Sequence, residues 1–225
     1  MAKVTPIKAP ANAGGDFDLA PEGVFLARCY KMVDVGTQET TGQYGTKQQR
    51  TIYLYWELLQ DDDGEEVRMD DGTPYLIFNN YTLSMSPKAN LRKHLDSWRG
   101  VKFTEEEAAE FEVTKLLGAY CKLQISHSKS KDGQRTYANV DTVMTTKKRP
   151  EGVNELVSFS IENPDGEVFN DLPQFLKDKI ENAPEWEEDE TPTTAAAPAA
   201  TTPAAPAAEQ TKLADDEIDI KDVQF

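Results

Sequence analysis

Between Arg50 and Leu59 the residues alternate with a period of two, and no other stretch constrains the fold as strongly. Ile52, Leu54, Trp56 and Leu58 fall on one face, and Thr51, Tyr53, Tyr55 and Glu57 on the other. Period two marks a β-strand with one dry and one wet side, so this chain is expected to build a sheet around an apolar face. Val24 to Val35 is a second β-leaning run, and Gly36 to Gln49 reads as a long loop because three glycines interrupt it. Asp61-Asp62-Asp63-Gly64 predicts a turn, and a further strand spans about Pro74 to Ser84.

Helical signals come next. Ser86-Pro87 offers an N-cap with proline in the first helical position. Leu91, Leu95 and Trp98 form one apolar face, and Gly100 stops the run. Thr104 and Glu107 fit a capping box, with a second helical region expected to reach Gly118. Cys121, Leu123 and Ile125 then alternate against Tyr120, Lys122 and Gln124. Lys131-Asp132-Gly133-Gln134 turns the chain into a last strand, Arg135 to Thr145. A helix between the third and fourth of five strands predicts a mainly β fold, a five-stranded OB-like Greek-key barrel. An SH3-like barrel or an unclosed α+β sheet fits the same order. Trp56 and Trp98 are assigned to its core.

The chain divides into unequal parts. Residues 1–21 read as a flexible leader, 22–150 as the barrel, and 151–190 as an extension packed on it. Phe159, Phe169, Phe175 and Trp186 are too many aromatics for a free linker. Residues 191–211 are a Thr/Ala/Pro linker in which proline blocks a continuous helix, and 212–225 form an acidic tip. Of the 225 residues, positions 1–150 hold 20 Lys+Arg against 21 Asp+Glu, so the net charge of −16 belongs almost wholly to the last third. The front of the chain is therefore free to gather a local cationic surface. In the tip, Asp215, Asp216, Glu217, Asp219 and Asp222 alternate with Ile218, Ile220 and Val223, and Phe225 carries the final carboxylate. Such a peptide is built to dock, its ring in an apolar pocket and its acids on a basic partner.

This layout resembles bacterial and bacteriophage single-stranded DNA-binding proteins, in which an OB domain is joined through a low-complexity linker to an acidic tip ending in Phe. The stretch Tyr81-Thr-Leu-Ser-Met-Ser-Pro-Lys-Ala-Asn-Leu-Arg-Lys-His-Leu-Asp-Ser-Trp-Arg-Gly100 is similar to phage and prophage replication factors. The resemblance implies a binder of single-stranded DNA in replication, recombination or repair. Its tip would recruit replication or recombination proteins and compete with DNA for the cationic groove. The tip departs from the family in having Val223-Gln224 before Phe225, and Lys221 among its acids.

Strand-tolerant binding needs cations for phosphates and flat rings for bases. The expected set is Arg28, Tyr30 and Lys31 on the first strand, with Tyr44, Lys47 and Arg50 on the first loop. Tyr53 and Tyr55 follow on the second strand, Lys122 on the fourth, and Lys129, Lys131, Arg135 and Tyr137 around the last hairpin. Lys88, Arg92, Lys93 and Arg99 read as the wet face of the central helix, and His94 as solvated. No phosphate-cradling GxxxxGK[ST] motif and no metal-ligand spacing is present, so neither catalysis, metal nor cofactor is expected. Cys29 and Cys121 read as buried free thiols of a reducing cytoplasm, that of the host if the chain is phage-encoded. No apolar run approaches the ~20 residues of a membrane span. A self-associating form fits the same sequence. Two other functions share its features: an acidic DNA mimic that inhibits a host protein, and a strand-annealing recombination factor.

Overall fold

The computed structural model describes residues 19–42 and 45–187. The leader up to residue 18, Tyr44, and the linker and tip beyond Glu187 lie outside the described residues, so the expectations for Tyr44 and for Asp215, Asp216, Glu217, Asp219, Asp222 and Phe225 do as well. The protein is mainly β. Strands β1 (Gly23–Gly42), β2 (Gly45–Asp61), β3 (Leu76–Thr82), β4 (Tyr120–Lys129) and β5 (Thr136–Met144) are joined antiparallel in the order β3-β2-β1-β4-β5. A short β6 (Val157–Phe159) runs parallel to Lys31–Val33 of β1. Helix α1 (Asn90–Arg99), helix α2 (Glu105–Ala109) and a 3-10 turn (Val113–Leu116) lie between β3 and β4. Helices α3 (Gly166–Asn170), α4 (Gln174–Glu181) and α5 (Pro184–Glu187) follow β6.

The region from Gly36 to Gln49 is not a loop. β1 continues to Gly42 and β2 begins at Gly45, paired residue by residue from Thr37–Arg50 to Gly42–Gly45. Gly36, at φ 70°, takes up an irregularity between Asp34 and Thr37, so the glycine bends the strand without ending it. The threonines beyond it suit extended backbone. A two-stranded ribbon results.

Period two places Cys29, Leu54, Trp56, Leu58, Cys121, Leu123 and Ile125 on the inner face, where α1 adds Leu91, Leu95 and Trp98. Trp56 and Trp98 pack with ring centroids 6.1 Å apart, and both cysteines are buried and free. α1 starts later than the Ser86-Pro87 signal implied. Its N-cap is Ala89, and Ser86 instead closes a turn by accepting from the Ala89 amide. The capping box of Thr104 and Glu107 is present, but α2 stops at Ala109 and the chain reaches Gly118 through the 3-10 turn. Arg92 is not on a wet face: it is buried, donating to the carbonyls of Met85 (2.9 Å) and Phe103 (2.7 Å). Arg99 is likewise engaged, by Glu107 at 2.5 Å.

β3 and β5 end the strand path without hydrogen-bonding to each other, and α1 packs on both. His94 of α1 ties them. The Tyr81 hydroxyl of β3 meets its Nδ1 at 2.9 Å, and the Asp141 backbone of β5 bonds the same ring. His94 is thus half-buried rather than solvated, and burial lowers its pKa, only partly offset by the Asp141 bond. A lowered folded pKa means the neutral ring stabilises the fold above the ordinary histidine value near 6.5. That contribution is lost as pH falls from there through the lower folded value. The stability advantage of the native protein over His94→Gln should therefore shrink between pH 7.5 and 5 in thermal unfolding.

The second layer covers the outer face. Tyr30, Val33, Val35, Tyr53 and Tyr55 pack under Phe159, Ile161, Leu172, Leu176, Ile180 and Ala183 of residues 157–187. Burying side chains such as Leu176 and Ile180 stabilises by ~1.5–3 kcal/mol each. The chain reaches that face past a dry latch: the fully buried Glu57 carboxylate accepts from Arg28 Nε (2.6 Å), the Asn154 amide (2.9 Å) and Asn154 Nδ2 (2.7 Å). Arg28 also donates to the Asn154 carbonyl, and a side chain at Gly152 would overlap its guanidinium. Glu57→Ala leaves that cation dry and unpaired, so urea unfolding should show a loss of about 3–5 kcal/mol.

Candidate functional site

The expected cations separate into two groups. Arg28 is committed to Glu57 and Asn154. Arg50 is committed to Asp34 and, at 2.6 Å, to Glu162. Lys122 reaches Asp62 at 2.6 Å. Lys31 is half-buried, with Nζ 5.7 Å from the Tyr55 ring centre; burial lowers its pKa and Asp171 opposes that. By contrast Lys47, Lys129, Lys131 and Arg135 are exposed, and their side chains have no ion-pair partner among the described residues.

These four cations sit on hairpins at opposite ends of the sheet. The ribbon carrying Lys47 extends from the carboxyl end of β1. The β4–β5 turn carrying Lys129, Lys131 and Arg135 lies beyond its amino end, since Gly23 pairs with Ile125. Asp132 shapes that turn by accepting from the Gln134 amide at 3.1 Å, and Gly133 supplies φ 71°. Tyr137, one residue into β5, is 48% exposed.

Tyr30, Tyr53 and Tyr55 are placed otherwise than the alternation implied. The face they share is not open, because the extension lies on it. Tyr53 and Tyr55 are 7% and 8% exposed. Burial, with Glu57 and Cys29 adding to it, pushes the Tyr30 hydroxyl up to about 12, and burial likewise raises Tyr53 and Tyr55. The Tyr55 hydroxyl has no hydrogen-bond partner among the described residues. A strand buried on both sides can still alternate aromatic with aliphatic residues, so period two could not reveal the second cover.

At the rim of that cover the rings emerge. Phe78 of β3 is 46% exposed and Phe175 of α4 is 42% exposed, and the two stack at 6.1 Å with an interplanar angle of 28°. Behind them Tyr53 and Tyr55 lie 5.9 and 5.1 Å from Phe78. Neither phenylalanine stood out as a surface feature in the sequence. The available signal was Leu76 and Phe78 alternating against the inward Ile77.

A concavity of about 390 Å³ is bordered by Tyr30, Lys31, Asn154, Glu155, Glu167 and Asp171, a lining with more carboxylates than cations. Among the described residues no group of three or more His, Cys, Asp or Glu is arranged to hold a metal ion. No helix among them is long and apolar enough to cross a membrane. No family model and no curated protein matches the chain.

The cover depends on Gly36. A Cβ there would stand 2.7 Å from Ile161 Cδ1 and 2.9 Å from the Ala183 Cβ, at a φ that side chains avoid. Beside it Glu185 accepts from the Thr37 amide (2.9 Å) and hydroxyl (2.5 Å). Burial works against the Glu185 charge, but the Thr37 donors outweigh it and hold the carboxyl below its usual range. Gly36→Val should unseat residues 157–187, so amide hydrogen exchange in β6 and α4 should accelerate while β4 keeps its protection.

Proposed function

We propose that this protein binds single-stranded DNA without strong sequence preference, through an OB-like Greek-key barrel, in phage-type replication or recombination. The observation that carries the reading is the distribution of cations: Lys47, Lys129, Lys131 and Arg135 on the two hairpins have no ion-pair partner among the described residues, while Arg28, Arg50 and Lys122 are tied to carboxylates. In OB barrels the ligand path is bounded by these two connections. The helix between β3 and β4, and the His94 tie between the end strands, support the barrel reading. Exposed rings beside a cationic path supply what unpaired bases need and a duplex hides.

The acidic tip is the second part of the proposal. Asp215, Asp216, Glu217, Asp219, Asp222 and Phe225 recruit replication or recombination proteins, and the tip competes with DNA for the same cations. The protein does this by binding alone, in the cytoplasm of its host.

Fluorescence titration with dT oligomers at several salt concentrations tests the reading. Affinity should fall log-linearly with salt, by ~0.7 per phosphate neutralised, and the combined Lys129→Ala, Lys131→Ala and Arg135→Ala variant should lower that slope by ~2. Deleting residues 191–225 should tighten binding. Undetectable binding at low ionic strength, with the 151–225 segment alone capturing a host DNA-binding protein, would establish the DNA-mimic reading instead.

A further inference from the structure

The extension leaves the β3 rim of the outer face open, and we infer that bases run along β3 over a composite platform made by Phe78 of the sheet and Phe175 of the extension. This rests on the single-strand reading and assigns its path. Three observations converge on it.

The middle of the sheet is closed. Tyr53 and Tyr55 are dry under Leu176, Ile180 and Phe159, so bases cannot stack on them while the cover is seated. The cover also repels phosphate, since residues 157–187 hold two lysines against eight Asp and Glu.

The rim of β3 is open and chemically suited. Tyr55 pairs with Phe78, Tyr53 with Asn80 and Thr51 with Thr82, which puts Phe78, Asn80 and Thr82 in one line on the outer face. Phe78 and Phe175 offer flat rings, and the Asn80 side chain is exposed with no partner among the described residues. Beyond Thr82 the same face of β2 presents Gln49, which meets the Thr82 hydroxyl at 3.4 Å, and then Lys47. Four residues of β3 and four of β2 at ~3.3 Å each make a track of about 26 Å, room for a handful of nucleotides.

The line also joins both cationic hairpins. β3 and β5 run in the same direction, so Leu76 and the β4–β5 turn start at one end of the sheet while Thr82 and the ribbon share the other. A strand laid along β3 leaves the cations of the β4–β5 turn, crosses the rings and reaches Lys47. Phe175 is thus a binding residue supplied by a segment outside the barrel.

Full-length protein with Phe78→Leu, Phe175→Leu or both is titrated with dT oligomers. Leucine keeps apolar bulk against Tyr53 and Tyr55 but removes the flat ring, and equal melting temperatures verify the fold. Each change should weaken binding by about tenfold, Phe78→Tyr and Phe175→Tyr should restore it, and photocrosslinking to iododeoxyuridine oligomers should map to Phe78 or Phe175. If both leucine variants bind like the native protein, or the crosslinks fall on Tyr53 and Tyr55, the platform is wrong while single-strand binding stands. If the native protein binds no oligomer, the functional reading and the platform fall together.

Discussion

Val33, Tyr53 and Tyr55 point away from the sheet's inner core, yet they are dry because Phe159, Ile161, Leu176 and Ile180 lie on them. This second apolar contact organises the molecule. It makes β1 and β2 a layer buried on both sides, and it draws a segment rich in carboxylates over the sheet. Where the cover ends, beside β3, the rings of Phe78 and Phe175 meet water.

The polar contacts around that cover hold it in register. Glu57 and Arg28 fasten the chain as it leaves the sheet, Arg50 joins Asp34 to Glu162, and Glu185 takes the Thr37 donors at the base of the ribbon. Each uses a charge that would otherwise lie on the surface. Burying an ion pair seldom adds much stability over an apolar pair, but losing one partner is costly, so such contacts fix position more than they strengthen it. The same engagement sorts the cations. Arg28 and Arg50, beside the cover, are paired with carboxylates, and the cations on the hairpins have no ion-pair partner among the described residues.

Much of the sheet was legible in advance because period two reports burial on one side directly. Ile52, Leu54, Trp56 and Leu58, and then Cys121, Leu123 and Ile125, pointed inward as their alternation required. Gly100 and the Thr104–Glu107 box also acted where local backbone chemistry places them. Tyr53, Tyr55 and His94 were misread for one shared reason. Their surroundings come from residues far along the chain, and a polar or amphipathic side chain on an outward face looks solvated until another element is set against it. Gly36 was misread because a glycine that ends a strand and one that bends it are alike in sequence.

By itself, then, the sequence determined the mainly β class, the order of the first five strands around a central helix, the inner core, and the concentration of negative charge in the last third. Those follow from periodicity, capping and composition, which act over a few residues or over none at all. The tertiary structure alone decided that the ribbon is continuous strand, which cations are free, and that Phe78 meets Phe175 across almost a hundred positions of chain. Such choices depend on which surfaces are brought together, and apolar burial is indifferent to the distance along the chain between its partners.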